Sequence, residues 1–265
     1  MATSSPAPYD PPVTTPAPIF LTAHWRHLAM LNWAIDPALL APRVPSGCEI
    51  DTFEGRTYVS AVGFLMLGTR VLGLPIPFHR DFEELNLRYY VRRRGPEGWR
   101  RGVAFIKEVV PRAAIAAVAR LAYHEPYVAL PMRHALDRSD APNAMKGGLL
   151  APGARVAYGW RLGDRWCEIA CETVGDDAPL VPGSEAEFIA EHYWGYTPQP
   201  DGSTLEYQVE HPPWRARAVH EARLDAPVAD LWGPEFVDVM AAPPTSAFVA
   251  EGSAVAVRRG VRIPA

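Results

Sequence analysis

The sequence has very little lysine: of its 26 lysines and arginines, only Lys107 and Lys146 are lysines. Chemistry that needs an amine side chain is therefore restricted to these two positions. Long apolar runs are also missing, since the best, residues 58–68, has about half the ~20 residues of a membrane-spanning helix. The start of the chain lacks the basic and apolar stretches of a secretory signal. We expect a cytoplasmic protein with no membrane partner.

The sequence also has a small net charge and few cysteines. A net charge of −4 excludes a chain-wide basic field, so no nucleic-acid partner is expected. Of the three cysteines, Cys167 and Cys171 stand four residues apart on a predicted strand, ~13 Å and beyond disulfide reach. No Cys or His spacing is typical of zinc, and the glycine patterns of dinucleotide-binding and phosphate-binding loops do not occur. We therefore predict free buried thiols, no metal and no cofactor.

The organisation of the chain is simple. Residues 1–18 contain six prolines and no apolar periodicity, so we predict a disordered tail there. No linker, repeat or charge block interrupts residues 19–265, which predicts a single domain.

Most of that predicted domain has the pattern of β-strands. The predicted strands are 58–67, 82–92, 102–110, 155–162, 165–173, 204–211 and 214–224. Gly163-Asp164 has the pattern of a hairpin turn, and Glu251-Gly252 predicts a second hairpin between 247–250 and 253–257.

Helices are fewer. We predict one over residues 111–123, and another that opens with the capping-box spacing of Ser184 and Glu187 and closes at Gly195. The predicted fold class is α+β, rich in strands, with an extensive antiparallel sheet that can curl into a barrel.

Three stretches carry a resemblance to a known family. They are His24-Trp25-Arg26 with the leucine-rich segment after it, residues 82–91, and the pair 191–196 and 206–212. Together they resemble the YqjF-like family, domain of unknown function 2071, over about residues 20–258. That family is distantly similar to acetoacetate decarboxylase, so the resemblance implies a curved, barrel-like sheet around an internal cavity.

The resemblance also carries candidate site residues. Glu84 stands where the decarboxylase motif has its active-site glutamate, and Arg120 matches the motif's arginine. Tyr127 stands where those enzymes have the lysine that forms a Schiff base. Tyrosine cannot form an imine, so decarboxylation of acetoacetate by the family mechanism is not expected.

The residues themselves allow two interpretations of the strand at 82–92. Alternation puts Glu84, Asn86 and Arg88 on one face. This polar face either lies in water or lines a cavity, where Glu84 can act as acid, base or hydrogen-bond acceptor and Asn86 and Arg88 bind substrate. Arg120 is either a surface arginine or an anchor for a carboxylate substrate.

Three functional hypotheses follow. The first is a cavity that binds or acts on a small organic acid through Glu84 and Arg120 as catalytic groups, with Tyr127 binding substrate and no Schiff-base lysine. The second is a non-catalytic ligand-binding or structural protein of the same fold. The third is a lysine-dependent lyase that uses Lys107, which is predicted to share a strand face with Phe105 and Val109. The partner is expected to be a small carboxylate, and the oligomeric state stays open.

Overall fold

One sheet of 15 strands organises the protein in a computed structural model that describes residues 16–139 and 147–264. The strands are β1 Ile19–Ile35, β2 Glu49–Ile50, β3 Thr57–Val71, β4 Leu74–Pro75, β5 Phe82–Gly95, β6 Gly98–Val110, β7 Tyr127–Ala129, β8 Met132–Leu136, β9 Arg155–Leu162, β10 Arg165–Pro179, β11 Trp194–Pro198, β12 Thr204–Glu210, β13 Arg215–Asp225, β14 Ser246–Arg258 and β15 Val261–Ile263. The helices are α1 Pro37–Leu40, α2 Ala113–Tyr123, α3 Glu185–Ala190, α4 Val228–Leu231 and α5 Val237–Ala241. The predicted strands are thus confirmed, most of them longer than predicted.

The sheet closes on itself. Strands β12, β11, β6, β5, β3, β1 and β14 follow one another by hydrogen bonding, and β14 pairs back with β12 at Val209–Val257 and Glu210–Ala256. A second layer continues from β14 through β13, β10, β9 and β8. The predicted antiparallel, barrel-like sheet is confirmed, with parallel pairing where β6 meets β11 and β7.

Strand β14 corrects one prediction. Glu251-Gly252 is not a hairpin turn, because Ser246–Arg258 is one strand that pairs with β1 on both sides of Gly252. Gly252 has a φ of +79°, and a Cβ there would lie 2.1 Å from the carbonyl oxygen of Trp25. The opposing strand is irregular too, since His27 has a φ of +56°. This bend lets the first half of β14 meet β13 and its second half meet β12.

Strand β1, the central strand of the barrel, has no counterpart among the predicted strands. Its middle section is buried on both faces, since Ala29 and Leu31 belong to one apolar core and Leu28 and Met30 to another. A strand covered on both sides shows no alternation of apolar and polar residues, which is the signal that sequence reasoning uses.

Strand β5 separates the same two cores. Leu85, Leu87 and Tyr89 pack into the core between the barrel and the outer layer. Phe82 and Tyr90, on the opposite face, pack into the core inside the barrel. The two faces of β5 therefore lie in two different cores, and the inner face turns toward the interior of the barrel.

The two longer helices begin near their predicted starts. Helix α2 begins at Ala113 rather than at residue 111 and ends at Tyr123. The Ser184 hydroxyl caps α3 by accepting a hydrogen bond from the backbone N–H of Glu187 at 3.2 Å. The predicted end of this helix is wrong, because α3 ends at Ala190 and Gly195 lies in β11. A side chain at Gly195 would collide with the ring of Tyr207, so this glycine serves strand packing.

The cysteines, the apolar character of the helices and the predicted tail can each be compared with the structure. Cys167 and Cys171 are buried free cysteines, as predicted. No helix among the described residues is long and apolar enough to cross a membrane. The predicted tail falls outside the described residues up to residue 15. Pro18, which belongs to its end, is tied to the sheet because its carbonyl oxygen accepts a hydrogen bond from Arg259 at 2.9 Å.

The close approach at Gly252 gives a test of the bend. We expect Gly73→Ala to lower the free energy of unfolding by about 1–2 kcal/mol, because its φ is also positive but the space around it is open. We expect Gly252→Ala to lose about 1–3 kcal/mol more, because the new methyl group overlaps the backbone of β1. Urea unfolding of both variants measures the difference. Equal losses would mean that the bend does not depend on this contact.

Candidate functional site

A cavity of about 240 Å³ lies inside the barrel. Most of its wall is apolar and comes from β1, β3, β5, β6, β12 and one face of α2. Its polar and ionisable lining includes Glu84, Asn86, Arg88, Glu108, Glu125, Tyr127, His192 and Tyr207.

Strand β5 contributes a polar ladder to the wall. Glu84, Asn86 and Arg88 line the cavity and are only 3 %, 4 % and 7 % exposed. The interpretation of this face as a surface in water is therefore wrong. The alternation that put these side chains on one face is confirmed, and their functional roles stay predictions.

Strand β6 contributes Glu108 through a β-bulge. Arg88 pairs with Phe105 and Leu87 with Lys107, so Ile106 is an extra residue between them. Phe105 and Glu108 both line the cavity, and Lys107 does not. Since neighbouring strand residues point to opposite faces, Lys107 lies on the face opposite Glu108. The prediction that Lys107 shares a face with Phe105 is wrong, because it assumed unbroken alternation.

The segment after α2 contributes a third carboxyl group and a phenol. Glu125 lies at the start of this segment, and Tyr127 in β7 pairs in parallel with Glu108 of β6. The Tyr127 hydroxyl donates a hydrogen bond to Oε1 of Glu84 at 3.3 Å. Across the cavity, the Tyr207 hydroxyl of β12 donates to Glu125.

Three glutamates therefore share one buried site, and burial makes their charged forms costly. Burial, and then the charge of Glu125, raises the pKa of Glu84 to about 8. Burial raises the pKa of Glu125 to about 7, against the lowering effect of hydrogen bonds from Tyr207 and Thr197. Burial and both neighbouring carboxylates raise the pKa of Glu108 well above its ordinary value. Near neutral pH, Glu84 and Glu108 are therefore mainly protonated.

Sequence reasoning missed Glu108 and Glu125. For Glu108 a usable signal existed, since a glutamate stands directly before Val109 and Val110 at the apolar end of a strand. A charged residue in such a run is buried with its strand unless the backbone turns it outward. Glu125 follows the end of α2, and no local pattern indicates that the chain there turns back into the barrel.

Arg88 is a buried cation that has no counterion among the described residues. Its Nη2 donates to the carbonyl oxygen of Ile189 at 3.0 Å, and its guanidinium carbon lies 5.6 Å from the centroid of the Tyr90 ring. Its Nε is buried without a hydrogen-bond partner, and no carboxylate of the described residues lies within 4 Å of the guanidinium. Buried charges in proteins are ordinarily paired, so this site is electrostatically incomplete.

Arg120 lies elsewhere. Helix α2 turns Ile115, Val118 and Ala119 toward the cavity, whereas Arg120 is exposed and is not among the lining residues. Helix α2 thus borders the cavity, and Arg120 itself fits the interpretation as a surface arginine rather than the one as an anchor in the cavity, because the next residue of a helix points ~100° away from the one before it. The arginine at the cavity is Arg88.

His192, a residue that sequence reasoning did not single out, lines the cavity near Arg88. It follows α3 and is 6 % exposed. Burial is the main cause that lowers its pKa to about 4, so its imidazole is neutral at pH 7. Among the described residues, no group of three or more His, Cys, Asp and Glu side chains has the geometry to hold a metal ion.

Comparison with known proteins identifies the family. The model of DUF2071, described as an uncharacterized conserved protein, matches residues 22–254. The chain belongs to the DUF2071 family. The uncharacterized protein YqjF of Bacillus subtilis (strain 168) is 33 % identical over 110 residues, which are 41 % of this chain and 44 % of YqjF. That match therefore spans less than half of either protein.

Solved structures show the fold of this DUF2071 protein to be acetoacetate decarboxylase-like. The enduracididine biosynthesis enzyme MppR, with HEPES buffer bound, matches with a TM-score of 0.64 and 15 % identity over 99 % of this chain and 96 % of MppR. Acetoacetate decarboxylase from Legionella pneumophila matches with a TM-score of 0.61 and 15 % identity over 98 % of this chain and 92 % of that enzyme. The fold implied by the resemblance is confirmed.

The position of Lys107 gives a chemical test. We expect no imine on Lys107 with acetoacetate or pyruvate, because its amine lies on the strand face opposite the cavity residue Glu108. The measurement is borohydride reduction in the presence of each acid, followed by peptide mass analysis, with Lys107→Arg as the control. A ligand-sized mass increase on Lys107 would support the lysine-dependent lyase instead.

The buried carboxyl groups give a test by pH. The pKa of Glu84 is higher in the folded than in the unfolded protein, so the folded state binds more protons between about pH 4.5 and 8. Stability is then present in full at low pH and is lost as the pH rises through this window, by at most about 1.4 kcal/mol per pH unit for each carboxyl group.

We expect Glu84→Gln to reduce this loss in urea unfolding between pH 5 and pH 8. The exposed Glu221→Gln variant is the control and should follow the wild-type slope. A Glu84→Gln protein with the wild-type pH slope would show that Glu84 does not hold its proton through this range.

Proposed function

We propose that the barrel cavity binds a small organic acid, with the ligand's carboxylate on Arg88 and with protonated Glu84 as a proton donor, without a Schiff-base lysine. The observation that carries this proposal is the buried guanidinium of Arg88, which has no carboxylate of the described chain within 4 Å. A ligand carboxylate would supply the missing counterion. Hydrogen bonds between ionised partners of this kind are among the strongest in proteins.

The charge balance of the cavity supports an anionic ligand. Among the described residues of its wall, Arg88 is the only lysine or arginine. The pKa of Glu84 is raised to about 8 and that of Glu108 well above its ordinary value, so these two glutamates add little negative charge at pH 7. A neutral carboxyl group donates a hydrogen bond instead of repelling an anion.

The arrangement along β5 also suits a small acid. Arg88, Asn86 and Glu84 follow one another at intervals of two residues, and Arg88 and Glu84 are separated by ~13 Å along the strand. Asn86 Oδ1 and Glu84 Oε2 are buried without hydrogen-bond partners among the described residues. An acid held by Arg88 would extend toward these two groups, and the cavity volume of about 240 Å³ limits it to a small molecule.

Proteins of similar fold support the choice of ligand. MppR has been solved in complex with pyruvate. Another similar structure is named an acetoacetate decarboxylase. Pyruvate and acetoacetate are both small carboxylates with a carbonyl group. In the present chain Tyr127 offers a hydroxyl group at the cavity wall, so any proton transfer would use the carboxyl and phenol groups rather than an amine.

The test compares butyrate with butyramide and butylamine, three probes of similar size and different charge, by calorimetry at pH 7. We expect the wild-type protein to bind butyrate better than the other two. Arg88→Gln should weaken butyrate binding roughly 10- to 100-fold, since a hydrogen bond to a charged group contributes about 1.5–3 kcal/mol. Arg120→Gln, at an exposed arginine on α2, is the matched control and should bind as the wild type does.

Two results would contradict the proposal. One is stronger binding of butylamine than of butyrate, which would mean that the carboxyl cluster rather than Arg88 selects the ligand. The other is an equal effect of the Arg88 and Arg120 substitutions. If Arg88→Gln does not fold, the wild-type protein's preference among the three probes still shows whether the cavity favours an anion, a neutral molecule or a cation.

A further inference from the structure

His192 is the best-placed polar group in the cavity that the proposed function leaves without a role. Its side chain is only 1 % exposed, and its ring belongs to the cavity wall. Its Nδ1 is buried and has no hydrogen-bond partner among the described residues. An unsatisfied buried nitrogen at a cavity wall is expected to meet a ligand or a water molecule, because leaving it unpaired costs free energy.

The ring is held firmly by its other neighbours. It lies against Tyr90, with ring centroids 4.7 Å apart, and meets the edge of Phe188 at 5.5 Å. Its Nε2 lies 3.5 Å from Nη2 of Arg101 and 3.8 Å from Oδ2 of Asp51. Asp51 in turn accepts a hydrogen bond from Nε of Arg101 at 2.7 Å. These contacts engage Nε2, so that Nδ1 is the ring nitrogen without a hydrogen-bond partner among the described residues.

The same contacts indicate the tautomer. Of the two groups near Nε2, Arg101 is the closer one, and a guanidinium can only donate. Since Oδ2 of Asp51, at 3.8 Å, lies beyond ordinary hydrogen-bond length, we assign Nε2 as the acceptor of the Arg101 contact, and in a neutral imidazole the proton is then on Nδ1. The ring would therefore present an N–H donor to the cavity.

Arg88 and His192 belong to one end of the cavity. The guanidinium of Arg88 and the ring of His192 both contact Tyr90, at 5.6 Å and 4.7 Å between the respective centres. Arg88 also donates to the carbonyl oxygen of Ile189, three residues before His192. A cationic donor and a neutral donor are thus supported by the same ring and the same short segment of chain.

From this juxtaposition we propose that Arg88 and His192 together select acids with an oxygen on the carbon next to the carboxylate, that is, 2-oxo or 2-hydroxy acids. Arg88 binds the carboxylate, and Nδ1–H of His192 donates to the neighbouring oxygen. The inference rests on the proposed function, since it presumes that Arg88 binds the carboxylate. It makes His192 a specificity-determining residue.

The experiment measures dissociation constants for four acids of equal chain length: butyrate, 2-oxobutyrate, 2-hydroxybutyrate and 3-hydroxybutyrate. We expect the wild type to bind the two acids with a 2-oxygen about tenfold more tightly than butyrate, as one added hydrogen bond allows. The oxygen of 3-hydroxybutyrate is one carbon too far along, so this acid should bind like butyrate.

Variants of His192 assign the preference to this residue. His192→Leu should remove the preference for a 2-oxygen, so that 2-oxobutyrate and 2-hydroxybutyrate bind this variant no more tightly than butyrate does. His192→Asn keeps an N–H donor close to the position of Nδ1 and should retain part of the preference. His220→Leu, at an exposed histidine of β13, is the control and should change neither value.

The outcomes separate the two proposals. If the wild type binds all four acids equally, or if His192→Leu keeps the preference for a 2-oxygen, the inference is overturned while acid binding at Arg88 stands. If none of the four acids binds, the proposed function fails and this inference fails with it. Should His192→Leu not fold, His192→Asn and the series of acids on the wild type still decide.

Discussion

The backbone pairing between β12 and β14 is the contact on which the rest of the site depends. Without it, the strands from β14 to β12 would form an open curved sheet whose inner face meets water. With it, seven strands form a closed wall, and the polar side chains on the inner face of β5 become buried. For closure, the second half of β14 must pair with β12 while its first half pairs with β13. The bend at Gly252 makes both pairings geometrically possible.

Closure changes the chemistry of ordinary side chains. Glutamate in water is an anion at neutral pH, and three of them in one small space would repel one another strongly. Inside the barrel, Glu84 and Glu108 keep their protons because the surroundings solvate a negative charge poorly. The same lack of solvation makes the charge of Arg88 costly. The barrel therefore combines two carboxyl groups that are mainly neutral with a guanidinium that cannot be neutral, and the proposed binding of an anion follows from this difference.

The sequence predicts the fold better than the site, and the reason is physical. Strand alternation follows from local geometry, so the boundaries of β9 and the inner face of β5 are readable from residues next to one another. The arrangement around Glu84 is not local. Glu108 reaches it through a bulge, Glu125 through a turn of chain after α2, and Tyr207 from the far side of the barrel.

The same distinction explains why the sequence left two interpretations of Arg120. A match in sequence spacing made this arginine a candidate for the cavity, but a helix rotates its side chains by ~100° per residue, and the neighbouring Ala119 takes the inward position. Strand β1 was not predicted for a different reason, which is local. It is so completely buried that its sequence carries no contrast between an inner and an outer face.

The bulge at Ile106 determines which side chain of β6 lies at the cavity wall. If β6 ran without an irregularity from Phe105, the inward positions would be 105, 107 and 109, and the amine of Lys107 would replace the carboxyl group of Glu108 at the wall. One additional backbone residue therefore separates an acidic lining from one that holds a potential nucleophile. A relative whose strand lacks this additional residue would therefore present a different side chain at the wall, even where the rest of the strand matches.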